Sequence, residues 1–157
     1  MKTALVVAML LAAAAPAAAR EGGVSAIRPW SRPAAAGASG VGYLTLANRG
    51  KADALIGVDS SLARKVEMHA TSMAGGMMQM RAEQRVPLPA GGEVSFAPGG
   101  RHLMFVGLKR ALHPGDRLPA TLHFASGAQL RVEFAVGSGG PPADGPASRR
   151  MPAMPGM

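Results

Sequence analysis

The sequence contains no cysteine, and this absence closes off whole areas of chemistry. Disulfide staples, thiol exchange, cysteine nucleophiles, thiolate zinc sites and the cysteine-ligated blue-copper centre are all excluded. Aromatic residues make up only 4% of the chain, and no basic run is interleaved with them, so nothing here fits a nucleic-acid partner. Acidic residues are also scarce, nine against seventeen Lys and Arg. Asp53, Asp59, Glu67 and Asp116 show no paired-carboxylate pattern and read as solvating residues. Ser39 lacks the spacing of a nucleophile elbow, and the glycine pairs lack the lysine and hydroxyl residue of a phosphate loop. The sequence makes no case for an enzyme.

Long apolar runs are missing too, except at the start. Met1 and Lys2 lead into Ala4 to Ala15 and then Pro16-Ala-Ala-Ala19. A basic start, a short apolar stretch and an Ala17-x-Ala19 ending describe a secretory signal peptide over residues 1–19, too short and too alanine-rich to span a membrane comfortably. The expectation is an exported, periplasmic protein with no stable membrane insertion after cleavage, whose residues 20–137 form one domain stabilised by packing alone. The formal charge of +8 is spread over scattered Arg and Lys residues, which suits a solvated surface that docks on acidic proteins or anionic lipid.

From Val24 to Val136 short apolar runs are cut by glycine and proline, with no sustained helical period. Gly40 to Asn48, Lys65 to His69, Val94 to Phe96, Leu103 to Leu108, Ala120 to Phe124 and Gln129 to Val136 alternate as strands do. Turn signals separate them at Asn48-Arg-Gly50, Ala74-Gly-Gly76, Pro89-Ala-Gly-Gly92, Pro98-Gly-Gly100, Pro114-Gly-Asp116 and Ser126-Gly127. The predicted fold is an all-β, cupredoxin-like or immunoglobulin-like antiparallel β-sandwich. Residues 138–157 have too little bulk to bury and read as a disordered tail. Its methionines, Met151, Met154 and Met157, repeat every third residue, the one sign of a copper-recruiting role there.

What the sequence has in abundance is methionine, and residues 68–80, MHATSMAGGMMQM, hold five of its eleven. Core filler is least useful at a glycine-rich turn, so the cluster invites a ligand reading. A reversal about Ala74-Gly75 would set His69 opposite Met80, with β-carbons about 5 Å apart. Met78 would share Met80's face, while Met68 and Met77 would point to the core. Downstream, His102 and Met104 stand on one face of a strand, roughly 7 Å apart, with Leu103 and Phe105 turned inward. If the two strand ends are neighbours, two imidazoles and two thioethers, with no carboxylate and no thiolate, form a soft and neutral set that suits Cu(I) far better than calcium, magnesium or zinc.

The spacing also resembles that of a known family, the periplasmic copper chaperones of the PCuAC type. Their signature is a histidine, ten residues, a methionine, twenty-one residues, a histidine, one residue and a methionine, and His69, Met80, His102 and Met104 fall at those intervals. The likeness extends over about residues 24–136, through Arg28-Pro-Trp30, Gly42-Tyr-Leu-Thr-Leu-Ala-Asn48, Val66-Glu-Met-His69, Val86-Pro-Leu-Pro-Ala-Gly-Gly92 and Pro98-Gly-Gly-Arg-His-Leu-Met104. The resemblance implies a cupredoxin-like sandwich in which these four residues hold one Cu(I). It also implies delivery to the copper-site subunit of a respiratory cytochrome oxidase, or to an intermediate carrier. Ala70 departs from the family, standing where many relatives have an acidic residue.

Of the other residues, His113 and His123 read as structural and Trp30 and Tyr43 as core or rim aromatics. Two rival functions use the same sequence: copper sequestration without delivery to an oxidase, and an envelope sandwich that packs its methionines and binds no metal.

Overall fold

The computed structural model describes residues 20–21 and 23–140. The leader expected at residues 1–19 and the tail beyond residue 140 lie outside them. The described residues form strands and connecting turns: β1 (Arg20–Glu21), β2 (Val24–Ser31), β3 (Gly40–Asn48), β4 (Asp53–Asp59), β5 (Ala63–Ala74), β6 (Met77–Glu83), β7 (Val86–Leu88), β8 (Glu93–Phe96), β9 (Arg101–Leu108), β10 (Arg117–Phe124) and β11 (Gln129–Val136). They join in one sheet in the order β6-β5-β9-β8-β3-β2-β11-β10-β4-β7, with β1 beside β2. Two pairings, β11 with β2 and β8 with β9, are parallel, and the others are antiparallel.

The alternation that marks β10 and β11 in the sequence reappears as burial. Leu118, Ala120, Leu122 and Phe124 on one strand, and Leu130, Val132, Phe134 and Val136 on the next, all face the core. The sheet is long enough to fold over onto itself. Phe105 of β9 and Phe134 of β11, which are not neighbours in the strand order, meet edge to face with ring centroids 5.6 Å apart. Gly42 permits this meeting, because a β-carbon there would lie 2.8 Å from Phe105 and 3.1 Å from Phe134. One apolar cluster, from Val24 to Val136, results. The expected sandwich is thus built from one continuous sheet.

Strands that alternation did not mark have local reasons for escaping it. In β2, Arg28 takes a positive φ of 45° and the register shifts between Ile27 and Trp30, so a bulge at Arg28-Pro29 breaks the period. β4 pairs with β10 through a shift at His123/Phe124, which places Ala54 and Leu55 in succession inside. β7 carries Pro87 on the edge of the sheet, where a missing N–H costs no ladder bond. Trp30 and Tyr43 are buried and packed together at 4.7 Å, with the Arg32 guanidinium over both rings.

A buried polar residue ties the far ends of the strands together. The Asn48 amide donates to the carbonyls of Lys51 (2.8 Å) and Leu88 (3.1 Å), and its oxygen accepts from Gly50 N–H at 2.9 Å. It is only 1% exposed, so truncation strands groups that water cannot reach. We expect Asn48→Ala to lower the unfolding free energy by about 2–4 kcal/mol, since each buried polar group left unpaired costs about 1–3 kcal/mol. Urea denaturation checks this.

Candidate metal centre

β6, β5 and β9 lie side by side and form one end of the sheet. Between β5 and β9, His69 pairs directly with His102, Glu67 with Met104, and Met68 with Leu103. Because successive side chains alternate, His69, His102, Glu67 and Met104 share one face, while Met68 and Leu103 fill the core behind them, 5% and 0% exposed. Leu103 and Phe105 turn inward as expected.

The hairpin differs from expectation in its register. Met80 stands opposite Thr71, and His69 opposite Ala82, because the loop is Gly75-Gly76. A two-residue loop of type I′ needs positive φ at both central positions, and Gly75 (59°) and Gly76 (77°) supply it where Ala74 would be strained. The slip amounts to two residues on the facing strand, so Met80 keeps its side of the pleat and still shares a face with His69, one pair further along. Met78 lies on that face as well. Met68 is buried as expected, but Met77 is not a core residue: it is 70% exposed, on a ribbon that runs past the sheet with nothing packed beneath it.

The two imidazoles meet edge to face, ring centroids 5.4 Å apart. His69 Nε2 lies 3.1 Å from Glu67 Oε2. A carboxylate only accepts, so Nε2 carries the proton and Nδ1 is left with a bare lone pair. That Nδ1 is buried and has no hydrogen-bond partner. Buried polar atoms are almost always paired, and an unpaired imidazole nitrogen is the arrangement a metal ligand requires. His102 turns Nδ1 towards the Gly100 carbonyl in a long 3.5 Å contact, which leaves its Nε2 as the acceptor. Glu67 is clamped from both sides. The Lys65 ammonium bonded to it holds its carboxyl below the usual carboxylate range, and the His69 hydrogen bond adds to this against a burial penalty.

Exposure grades across the site. His102 is 7% exposed, Met104 is half-buried, and Met80 is 59% exposed on the edge strand. Among the described residues, no three His, Asp or Glu side chains come together as a hard metal would require. Sequence reasoning missed Glu67, which it took for a solvating residue. Its place two residues before His69 on an alternating strand was the available signal. The remaining histidines are engaged by carboxylates: His123 Nε2 with Asp59 at 2.6 Å and His113 Nδ1 with Asp116 at 3.6 Å.

Fold and site together define a class, the small cupredoxin-like β-protein with two histidines and two methionines gathered on one outer sheet face. The lipoprotein LpqE-like family matches residues 24–136, and the chain belongs to this family, whose domain is the PCuAC domain. Lxx21020 of Leifsonia xyli subsp. xyli, which carries a lipoprotein designation, is 32% identical over 116 residues, covering 73% of this chain and 69% of its own length. RP573 of Rickettsia prowazekii, an uncharacterized protein, is 31% identical over 127 residues, covering 77% and 70%. Among solved structures, the copper-bound PCuAC domain from PmoF2 superposes with a TM-score of 0.64 at 26% identity, over 76% of this chain and 96% of that one. The Cu(I) form of DR1885 from Deinococcus radiodurans gives 0.55 at 29%, over 71% and 77%.

Proposed function

We propose that this protein is a periplasmic copper chaperone that carries one Cu(I) on His69, Met80, His102 and Met104 and hands it to a respiratory cytochrome oxidase during assembly of the oxidase's copper centre. The observation that carries the reading is the buried, unpartnered Nδ1 of His69, set against His102 on a face that also holds both methionines. The copper-bound state of PmoF2 and the Cu(I) state of DR1885 support it. Export through the leader at residues 1–19 would put the site where such an acceptor faces.

The chemistry is binding and release, with no bond-making catalysis. Imidazole and thioether are neutral, so they hold a monovalent ion without the grip of thiolates, and a divalent ion gains no anionic compensation for its lost hydration. The graded exposure gives release a direction. Met80, at the open edge, is the donor an incoming acceptor ligand reaches first, and the buried His102 is the last to let go. Glu67 holds Nε2 of the His69 ring, so that Nδ1 stays unprotonated and free for the ion.

Glu67→Ala is expected to weaken Cu(I) affinity about tenfold, as loss of a ligand's orienting partner does. Glu67→Gln should cost less, because an amide oxygen accepts the same bond. Competition with a coloured Cu(I) chelator reads both. Delivery is tested by mixing the Cu(I)-loaded protein with the metal-free soluble copper domain of an oxidase subunit and following the acceptor's copper content. Transfer supports the reading, whereas retention by the chaperone with a competent acceptor favours sequestration.

A further inference from the structure

Four of the six large apolar side chains that stand exposed among the described residues lie on one hairpin: Met73, Met77, Met78 and Met80, at 67, 70, 70 and 59%. Burying such a side chain is worth about 1.5–3 kcal/mol, and the fold forgoes it at all four. The last pairing of β5 with β9 is Ala70 with Arg101, while β5 and β6 stay paired out to Ala74 and Met77. Thr71 N–H still bonds the Gly100 carbonyl at 3.2 Å, and beyond it the hairpin projects past the sheet as a two-stranded ribbon.

The pleat sorts its thioethers. Met73 stands directly opposite Met78, and Met80 stands opposite Thr71 on the same face, while Met77 pairs with Ala74 on the other. Counting from a two-residue loop, Met73–Met78 and Thr71–Met80 are non-hydrogen-bonded pairs, in which facing Cα atoms approach to about 4.5 Å and side chains lie closest. Three thioethers thus converge on one side of the ribbon, with Thr71 as the only other side chain on this side between the loop and Met80.

We propose that Met73, Met78 and Met80 form a second, outer site for Cu(I) that shares Met80 with the inner one. The inference rests on the reading of Met80 as an inner ligand. Three neutral sulfurs select a soft monovalent ion and lack the imidazoles that strengthen the inner site, so affinity rises inward. Sharing Met80 lets the ion change sites without leaving protein sulfur: Met73 and Met78 let go as His69, His102 and Met104 engage. Every donor is neutral and the copper stays Cu(I), so the exchange moves neither electrons nor protons.

The test uses Ag(I), a redox-inert stand-in of the same charge, added to the exported chain labelled with 13C at the methionine methyls. The inner site is disabled by His102→Ala with Met104→Ile. The methyl signals of Met73, Met78 and Met80 are expected to shift together and saturably, and the Met80 shift should shrink when Met73→Ile and Met78→Ile are added. A shift of Met80 with Met73 and Met78 unmoved would overturn the outer site while leaving the inner reading intact. If none of the three moves, the outer site fails, while the inner assignment of Met80, whose partners this variant lacks, is decided by the Ag(I) response of Met80 in the chain that keeps His102 and Met104. Concentration-dependent broadening of these signals without Ag(I) and no response to the ion would make the patch a self-association face and overturn the proposal.

Discussion

Replacing either Met80 or Met104 with isoleucine is expected to weaken Cu(I) retention by about 100-fold or more while leaving the fold intact. Losing a mere orienting partner of a metal ligand costs about 10–100-fold, and here a donor itself is removed from a set of four. Isoleucine keeps the bulk and loses the sulfur. The two positions should differ in their effect on stability. Met80 is 59% exposed on the edge strand, so its replacement should change the unfolding free energy by less than about 0.5 kcal/mol. Met104 is half-buried on β9 opposite Glu67 and beside Val41, and the branched side chain should cost somewhat more. Chelator competition alongside urea denaturation separates loss of ligation from loss of fold.

Phe105→Ala is the substitution with the largest expected effect on stability, a loss of about 3–5 kcal/mol, the usual cost of emptying an aromatic site in a core. Phe105 is fully buried. It meets Phe134 at 5.6 Å across the interior, and such edge-to-face pairs contribute about 0.5–1.5 kcal/mol beyond their buried area. The contact joins β9 to β11 where the sheet folds over. Phe105 also follows Met104 directly in the strand that places His102 and Met104. Loss of the fold should therefore carry loss of Cu(I) with it, whereas Met80→Ile should lose Cu(I) alone.

The strands legible in the sequence were those whose alternation the fold leaves undisturbed. β3 and β11 were delimited to the residue, and β5, β8, β9 and β10 were found in part. β2, β4 and β7 were obscured by a bulge, a register shift and an edge proline, all set by pairing with distant strands. In the same way, alternation and spacing were enough to set His69 with Met80 and His102 with Met104, while the pairing of β5 with β9 is what brings the two pairs onto one face. The hairpin register was not, because it turned on which two residues take positive φ, and Gly75-Gly76 satisfies that where Ala74-Gly75 does not. The role of Glu67 depends on a side-chain hydrogen bond to His69; its place two residues before His69 put both on one face but did not by itself show that bond.

Four neutral side chains on the face shared by β6, β5 and β9 are proposed to hold one Cu(I). The most direct measurement is an anaerobic, reducing titration of residues 20–157 with Cu(I) against a coloured chelator, beside the His102→Ala, Met104→Ile double variant. One tightly held ion is expected in the parent chain, and loss of that ion in the variant, with both proteins folded. Equal, weak binding by the two would contradict it.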